Sequence, residues 1–423
     1  MSIQCYLFEG RFVEREFEDF EILMGSLNLD ILYRQPIDLI VKVLAKFGKE
    51  LTKSLLHKEG ILYLATWLRE SNLQKYLALN LNNKLVLDTF IRIEEGLALR
   101  AQPRGVVCHW IAGNIPTLAI FSLVQSILCK NVNVLRVPKE SVRDVLDILK
   151  IFNDISVTHD GSTMTGKEIL QATSVIYFPS SAVDLNKKLS CAADCKVIWG
   201  GKEAVQSIVP LPQKEHCETI VFGPKYSFAV VDAESIDESL CHNLAMDIIT
   251  FDQNACSSPH VIFCESSSRR NGEGGKKLAS YLADSFRELT KKYQKVEGNF
   301  TNILNARGIY WLDPSKDILC SNSLDWTILI NTDVTLEEPI GFRTIFIKEV
   351  KDLLETTGLI TNKIQTVGVA IKNAEKKMEF CEQATFKGVS RCVDIGWMNN
   401  YATPWDGIFF IHRLVRWTSM TQT

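Results

Sequence analysis

The sequence predicts an α/β protein built on parallel sheets, and three observations carry that prediction. From residue 105 on, apolar strand-like runs alternate with amphipathic helix-like segments at the spacing of βαβ units. The runs at 106–111, 132–137, 174–178 and 196–199 are rich in Val, Ile and aromatic residues, as strands covered on both faces are. Turns of small residues follow three of these strands, and open parallel sheets take their ligands beyond the carboxyl ends of the strands.

Taken in order, residues 1 to about 100 read as helical and amphipathic in large part. Residues 36–47 place apolar side chains at helical spacing, with Pro36 in the first turn, and 60–77 and 85–99 repeat the pattern. At 105 the rhythm changes. Residues 106–111 read as a strand and 116–129 as a helix with Pro116 at its start. A second strand follows at 132–137. Residues 141–152 form a helix with Val142, Val145, Leu146 and Leu149 on one face and Ser141 as candidate cap. Then come a strand at 174–178, a helix at 184–193 and a strand at 196–199. Residues 210–224 cross between domains, and 226–231 open a second α/β region. There 244–250 reads as a helix, 260–264 as a buried strand, 265–275 as a polar, Gly-rich loop, and 276–293 and 348–356 as helices. Residues 388–417 mix glycines with aromatics, too apolar a tail to hang free, and should pack on the body.

Composition narrows the function. A chain of 423 residues suggests two or three domains, and 46% hydrophobic with 23% charged residues is ordinary for a soluble protein. A net charge of -3 leaves no footprint for nucleic acid. The twelve cysteines contain no Cys-x-x-Cys pair. Cys191 and Cys195 are four apart with no second pair at zinc-like spacing, so no metal site is expected. The amino terminus lacks a basic region followed by an apolar core, so a reducing, cytoplasmic setting is expected. Residues 105–129 lack Asp, Glu, Lys and Arg over a length that would span a bilayer. Gly113-Asn114-Ile115-Pro116 interrupts them, so strand, turn and buried helix are expected, and no transmembrane segment.

The chemistry centres on Phe251-Asp-Gln-Asn-Ala-Cys256-Ser-Ser-Pro259. A thiol between a helix and a strand can be held still and still meet a ligand, and a thiolate attacks carbonyl carbon well. On local sequence alone, Cys256 reads more readily as one more buried small residue. The usual dinucleotide fingerprint, the Walker loop and the Gly-x-Ser-x-Gly elbow are all missing from the sequence. Asp160 to Gly166 reads as a plain turn. His109 reads as a satisfied core histidine, and His260 as a weak base candidate near Cys256. Three turns point the same way: Ala112-Gly113-Asn114-Ile115-Pro116, Tyr177-Phe-Pro-Ser180-Ser181 and Trp199-Gly200-Gly201-Lys202. Asn114 either caps the helix after it or aims its amide at an oxyanion. Asn114 with Cys256 is the candidate catalytic constellation.

With these residues in hand, a resemblance is visible. Pro103 through Glu140 resembles the aldehyde dehydrogenase superfamily. Ala112-Gly-Asn-Ile-Pro, Trp199-Gly-Gly, Phe222-Gly-Pro-Lys225, Asp252-Gln-Asn-Ala-Cys256, Met398-Asn-Asn400 and Asp406-Gly407 resemble, in order, the LuxC family of acyl-CoA and fatty-acyl-protein reductases. The resemblance covers roughly residues 100 to 417. It implies an aldehyde-dehydrogenase-like fold. Residues 1–222 would hold a helical amino-terminal region and a Rossmann-type dinucleotide-binding domain. Residues 223–385 would form an α/β catalytic domain, and 386–423 a segment packing back on the body. It also implies NADPH-dependent reduction of a long-chain fatty acyl thioester to the aldehyde. Cys256 matches the nucleophile and Asn114 the oxyanion donor. Ser181, with Ser180 beside it, matches a serine near the cofactor pyrophosphate. Trp199, Gly200 and Gly201 match the turn passing the nicotinamide, Lys139 lies near the adenosine ribose position, and Glu338 aligns loosely with a ribose-binding Glu. Hydrolytic aldehyde dehydrogenases carry a Glu two residues before the Gly-Gly pair, where this chain has Ile198. The resemblance further implies an acyl-protein synthetase and an acyl-transferase as partners, and a homo-oligomer. The alternatives are an NAD(P)+-dependent aldehyde dehydrogenase and a non-catalytic acyl-binding scaffold for a partner synthetase.

Overall fold

The computed structural model of the chain describes residues 2–54, 56, 60–265, 273–293 and 300–421. They form two compact units. One holds the residues up to Gly223 together with those from Tyr401 on, and the other is Pro224–Asn400.

The first unit opens with an antiparallel hairpin, β1 (Ile3–Phe8) and β2 (Arg11–Phe17). Its turn residues Glu9 and Gly10 both have positive φ, as tight hairpin turns require. The expectation of a mostly helical first hundred residues therefore needs correction. Helices Ile37–Lys53, Ile61–Trp67 and Glu70–Leu81 are present. The helix expected at 85–99 is instead a 3-10 turn, Lys84–Leu87, followed by β3 (Ile91–Glu94) and β4 (Leu97–Pro103). Leu85 and Ile93 are exposed, so a helical apolar stripe there would have had no core to face.

The alternation after residue 105 is as the sequence suggests. β5 (Val106–Trp110), β6 (Val132–Arg136), the small hairpin β7 (Ser156–His159) and β8 (Ser162–Thr165), β9 (Thr173–Tyr177), β10 (Cys195–Trp199) and β11 (Glu218–Phe222) follow in turn. Helices Pro116–Leu128, Lys139–Leu149, Val183–Ala192 and Lys202–Ile208 connect them. The main sheet runs β11-β10-β5-β6-β9-β1-β2. The five strands from β11 to β9 are parallel, and β1 joins β9 antiparallel. Chain order reverses between β5 and β10, and open parallel sheets take their ligands beyond the strands' carboxyl ends at such a reversal. Ser141 does not cap the helix at 139–149, which begins two residues earlier after Pro138; its hydroxyl instead donates to the Gly113 carbonyl at 3.1 Å.

The second unit holds β12 (Tyr226–Val231), β13 (Pro259–Glu265), β14 (Asp317–Cys320), β15 (Thr327–Asn331), β16 (Thr344–Val350), β17 (Ile364–Ala370) and β18 (Arg391–Asp394). Its sheet order is β14-β15-β16-β13-β12-β17-β18, parallel except at β14. Helices Glu238–Ile249 and Glu273–Leu289 cover one face through Leu244, Ile248, Leu282 and Phe286. Helices Thr301–Leu312 and Ala374–Phe386 cover the other through Tyr310 and Phe380. The expected helix at 348–356 is instead the end of β16 and a 3-10 turn, Leu353–Leu359. The apolar residues Ile345, Phe346 and Ile347 are buried against both faces, which is strand rather than helix burial. Most of the expected polar loop at 265–275 lies outside the described residues. The chain ends with β19 (Val415–Thr421), which pairs antiparallel with β4 of the first unit.

Candidate active site

Most of the residues singled out as cofactor contacts sit at one edge of the first unit's sheet. Gly113 and Asn114 follow β5, Lys139 follows β6, Ser180 and Ser181 follow β9, and Gly200 and Gly201 follow β10. Asn114, Lys139, Ser180, Ser181 and Gly201 are exposed. The helix at 116–128 takes Ile115 as its cap residue, so Asn114 is not the cap. A side chain at Gly113 would strike Glu140 and Pro138, at 2.9 and 3.3 Å from its Cβ. The β5 turn therefore lies directly on the start of the helix at 139–149.

Trp199 behaves differently from the rest. Its indole is 6% exposed, stacks on Phe222 at 3.7 Å between ring centres, and donates to the Ser122 hydroxyl at 2.9 Å. Only its backbone, with Gly200 and Gly201, reaches the edge. A Cβ at Gly201 would meet nothing within 4 Å. Exposed hydroxyls, a lysine and a backbone open to close approach suit a phosphate-bearing dinucleotide.

Two residues of this edge escaped the sequence reading. Asn186 accepts from the Trp110 indole at 2.9 Å and donates to the Ser180 carbonyl at 3.1 Å, tying the serine turn to the sheet. Arg136 donates to the Phe178 carbonyl at 2.8 Å, and its guanidinium lies over the Phe178 ring. Its burial disfavours the charged form and lowers its pKa. His109 is the satisfied core histidine expected, between Ser122 at 2.8 Å and Asn133 at 3.1 Å, and burial holds its ring near pKa 4.

Cys256 belongs to the second unit, three residues before β13. The backbone leading to it is left-handed at three successive residues, Phe251, Asp252 and Gln253, with φ of 61, 46 and 62 degrees. Each such non-glycine residue costs on the order of 1–3 kcal/mol, so the surroundings must impose the shape. They do so with buried polar groups. Arg343 donates from Nε to the Asp252 carboxylate at 2.5 Å. The Gln253 amide donates to the Pro259 and Thr344 carbonyls at 2.8 and 3.0 Å and accepts from the Thr344 N–H at 2.8 Å. A side chain thus completes the ladder between the first residues of β13 and β16.

The residues after the bend are held as firmly. Ser227 donates to the Cys256 carbonyl at 2.7 Å and accepts from the Thr366 N–H at 3.0 Å. Ser257 and Ser258 both donate to the Asn399 carbonyl oxygen, at 2.8 and 3.2 Å. Asn399 in turn donates to the Asp247 carbonyl at 2.8 Å, and the Asp247 carboxylate accepts from the Gly396 N–H at 2.5 Å. The helix before the thiol and the segment after β18 are stitched together around it. Cys256 itself is half-buried, and none of the twelve cysteines is in a disulfide. Burial pushes the Cys264 thiol up to about 12.

His260 is buried in β13, and burial pushes its ring down to about 4. A base that weak has little drive to take a proton from a thiol. Glu338 is exposed in the segment leading into β16; its charge, after burial, helps to raise the Tyr226 phenol.

Residues 33–417 match the sequence profile of the acyl-CoA reductase (LuxC) family. The chain belongs to that family. Two relatives are long-chain acyl-protein thioester reductases. That of Aliivibrio fischeri is 25% identical over 71% of this chain and 60% of its own length. That of Vibrio harveyi is 26% identical over 76% and 65%. The chain thus spans less than two thirds of either relative. Its fold is that of the aldehyde dehydrogenases. The NADP-dependent glyceraldehyde-3-phosphate dehydrogenase of Bacillus halodurans, solved with NADP, superposes with a TM-score of 0.66 at 14% identity, over 99% of this chain and 95% of that one. In this LuxC-family chain Ile198 is fully buried in β10 among Cys108, Trp110 and Val134, so no carboxylate stands at that position. Among the described residues no helix is long and apolar enough to cross a membrane.

Proposed function

We propose that the protein reduces a fatty acyl thioester to the fatty aldehyde through an acyl-Cys256 intermediate, with NADPH as reductant. The observation that carries this reading is the half-buried thiol of a LuxC-family chain held in a backbone bend that only buried polar contacts can maintain. Cys256 is the proposed nucleophile. The oxyanion formed on its attack is met by the Asn114 amide and the Cys256 N–H, and one such donor is typically worth about 3–4 kcal/mol. Loss of the donor thiolate leaves acyl-Cys256. Bound NADPH supplies a hydride to the acyl carbon. Collapse of the resulting thiohemiacetal returns the Cys256 thiolate, so no strong external base is needed, in keeping with the weak base at His260. Ile198 offers no carboxylate to activate water, which favours thioester reduction over the oxidation of an aldehyde to a free acid.

The cofactor contacts in this reading are Ser180, Ser181, Lys139, Gly200, Gly201 and the Trp199 backbone, with Glu338 as a further ribose contact. The reversal of strand order between β5 and β10 supports them. A cytoplasmic homo-oligomer working with an acyl-protein synthetase and an acyl-transferase is the matching setting.

The test is NADPH consumption with acyl-CoAs of graded chain length and aldehyde detected as product. Cys256→Ala should abolish both covalent acyl labelling and aldehyde formation. Retained aldehyde production by that variant overturns the nucleophile assignment, and turnover only with aldehyde plus NADP+ overturns the direction.

A further inference from the structure

Two further cysteines of the second unit sit where a helix packs beside the edge strand β18. Cys381 is on the helix Ala374–Phe386 and Cys392 is in β18. Residues 387–390 join the two elements. Gly388 makes that turn at a φ of 117 degrees, where a Cβ would stand 3.0 Å from the Asn362 backbone. Phe380 and Ala384 bury the helix against the sheet on either side of Cys381. One turn before Cys381, Lys377 reaches Asp394, two residues after Cys392, at 2.6 Å. Helix and strand are thus clamped with the two cysteines on their facing sides, and both pack against the same apolar cluster of the sheet. Both cysteines are partly exposed, so a small solute can reach them.

The chemistry of the pair is asymmetric. Hydrogen bonding to the neighbouring Cys392 thiol and the charge of the Lys377 ammonium, against burial and the Asp394 charge, hold Cys381 down at about 7. The same hydrogen bond and burial push Cys392 up. A thiolate beside a protonated thiol is the arrangement in which one sulfur attacks and the other resolves.

We propose that Cys381 and Cys392 form a peroxide-sensitive dithiol that closes reversibly to an intramolecular disulfide. The Cys381 thiolate attacks the terminal oxygen of a hydroperoxide. An S–O bond forms, the O–O bond breaks, and the leaving oxygen takes a proton to depart as alcohol or water. The Cys392 sulfur then attacks the sulfenic sulfur. The S–S bond forms, the S–O bond breaks, and hydroxide leaves as water with the Cys392 proton. The two sulfurs give up two electrons and the peroxide accepts them.

The test uses the full chain carrying Cys256→Ala, so that this thiol does not compete for oxidant. Treatment with hydrogen peroxide at a few equivalents should remove two mass units, restored by dithiothreitol, and link the peptides containing Cys381 and Cys392. Adding Cys392→Ala should block the link and leave Cys381 as a sulfenic acid that dimedone traps. In that variant, alkylation of Cys381 at pH 7 should slow about three-fold, because the thiolate fraction falls while each thiolate becomes more nucleophilic. If Cys381 and Cys392 both stay open to alkylation after peroxide, or the disulfide maps to other cysteines, in protein with native circular dichroism, the proposal is overturned.

Discussion

Arg343 and Asp252, ninety-one residues apart in sequence, form an ion pair in which both side chains are 2% exposed, and Asp252 lies four residues before the candidate nucleophile. The pair joins two left-handed stretches, Phe251 to Gln253 and Gly341 to Arg343, and the Phe342 N–H donates to the Asp252 carbonyl at 3.0 Å between them. Gly341 takes positive φ at no steric cost, but the bulky neighbours in both stretches do not. Each holds the other, and the thiol loop takes its path from that lock.

Removing one charge of a buried pair leaves the other uncompensated, which costs about 3–5 kcal/mol. Arg343→Leu should therefore lower the urea midpoint strongly, by a free energy in that range. The double variant Arg343→Leu with Asp252→Leu should be less destabilised than Arg343→Leu alone, since no orphan charge remains. A double variant that is worse than either single one would show that the pair itself supplies the stability.

Asn399 collects the hydroxyls of both residues that follow Cys256. Asn399→Ala leaves two buried hydroxyls without their acceptor, at about 1 kcal/mol or more each. The thiol should then sample wrong positions, and acylation should slow about ten-fold or more while KM for acyl-CoA stays within about two-fold. Asn399→Asp keeps the acceptor oxygens and should recover part of the rate. Single-turnover acylation with each variant measures this; an unchanged acylation rate in Asn399→Ala would remove the positioning role.

How much of this was legible follows from what each element depends on. β6 and β10 are core strands whose apolar runs announce themselves, and Pro116 marks its helix start correctly. The hairpin at Ile3–Phe8 and Arg11–Phe17 was legible too, through the Glu9-Gly10 turn, but alternation with charged residues at 14–16 masked it. The Lys348 side chain, fully buried and paired with Glu337, made a core strand look like an amphipathic helix. The motif containing Cys256 is readable from residue types. The left-handed bend before it is not, because Phe and Gln disfavour that conformation and a single Asp, which tolerates it, does not announce three such residues in a row. The partners of its side chains include Arg343 and Thr344, which no local pattern links to it.

Gly201 has a backbone that any residue could adopt, φ of -69 and ψ of 178 degrees, and open space where a Cβ would go. Gly201→Ala should therefore leave thermal stability unchanged. If this edge of the sheet takes the dinucleotide, the added methyl stands in the cofactor's path, and the Kd for NADPH should rise about ten-fold, equivalent to about 1.4 kcal/mol. Fluorescence titration reads this directly. Unaltered NADPH affinity together with unaltered stability places the cofactor elsewhere.

Asp247 gives a pH signature that separates it from the other buried titrating groups. Burial, only partly offset by the N–H groups of Gly396, Met398 and Asn399, raises its carboxyl to about 7. The folded chain therefore holds a proton that the unfolded chain has lost between about pH 4 and 7. Stability contributed by this group is largest below pH 4, falls as pH rises through that window, and is level above it, a change of roughly 4 kcal/mol. His109 and His260, both held near 4, act in the opposite sense, since stability is lost as pH falls from about 6.5 towards 4. Asp247→Asn keeps an oxygen for the Gly396 N–H and removes only the titration. Urea midpoints at pH 5, 6, 7 and 8 should show the variant gaining on the parent at each step up to about pH 7. Parallel pH profiles for the two proteins would mean that Asp247 is ionised throughout and that its burial is relieved by water.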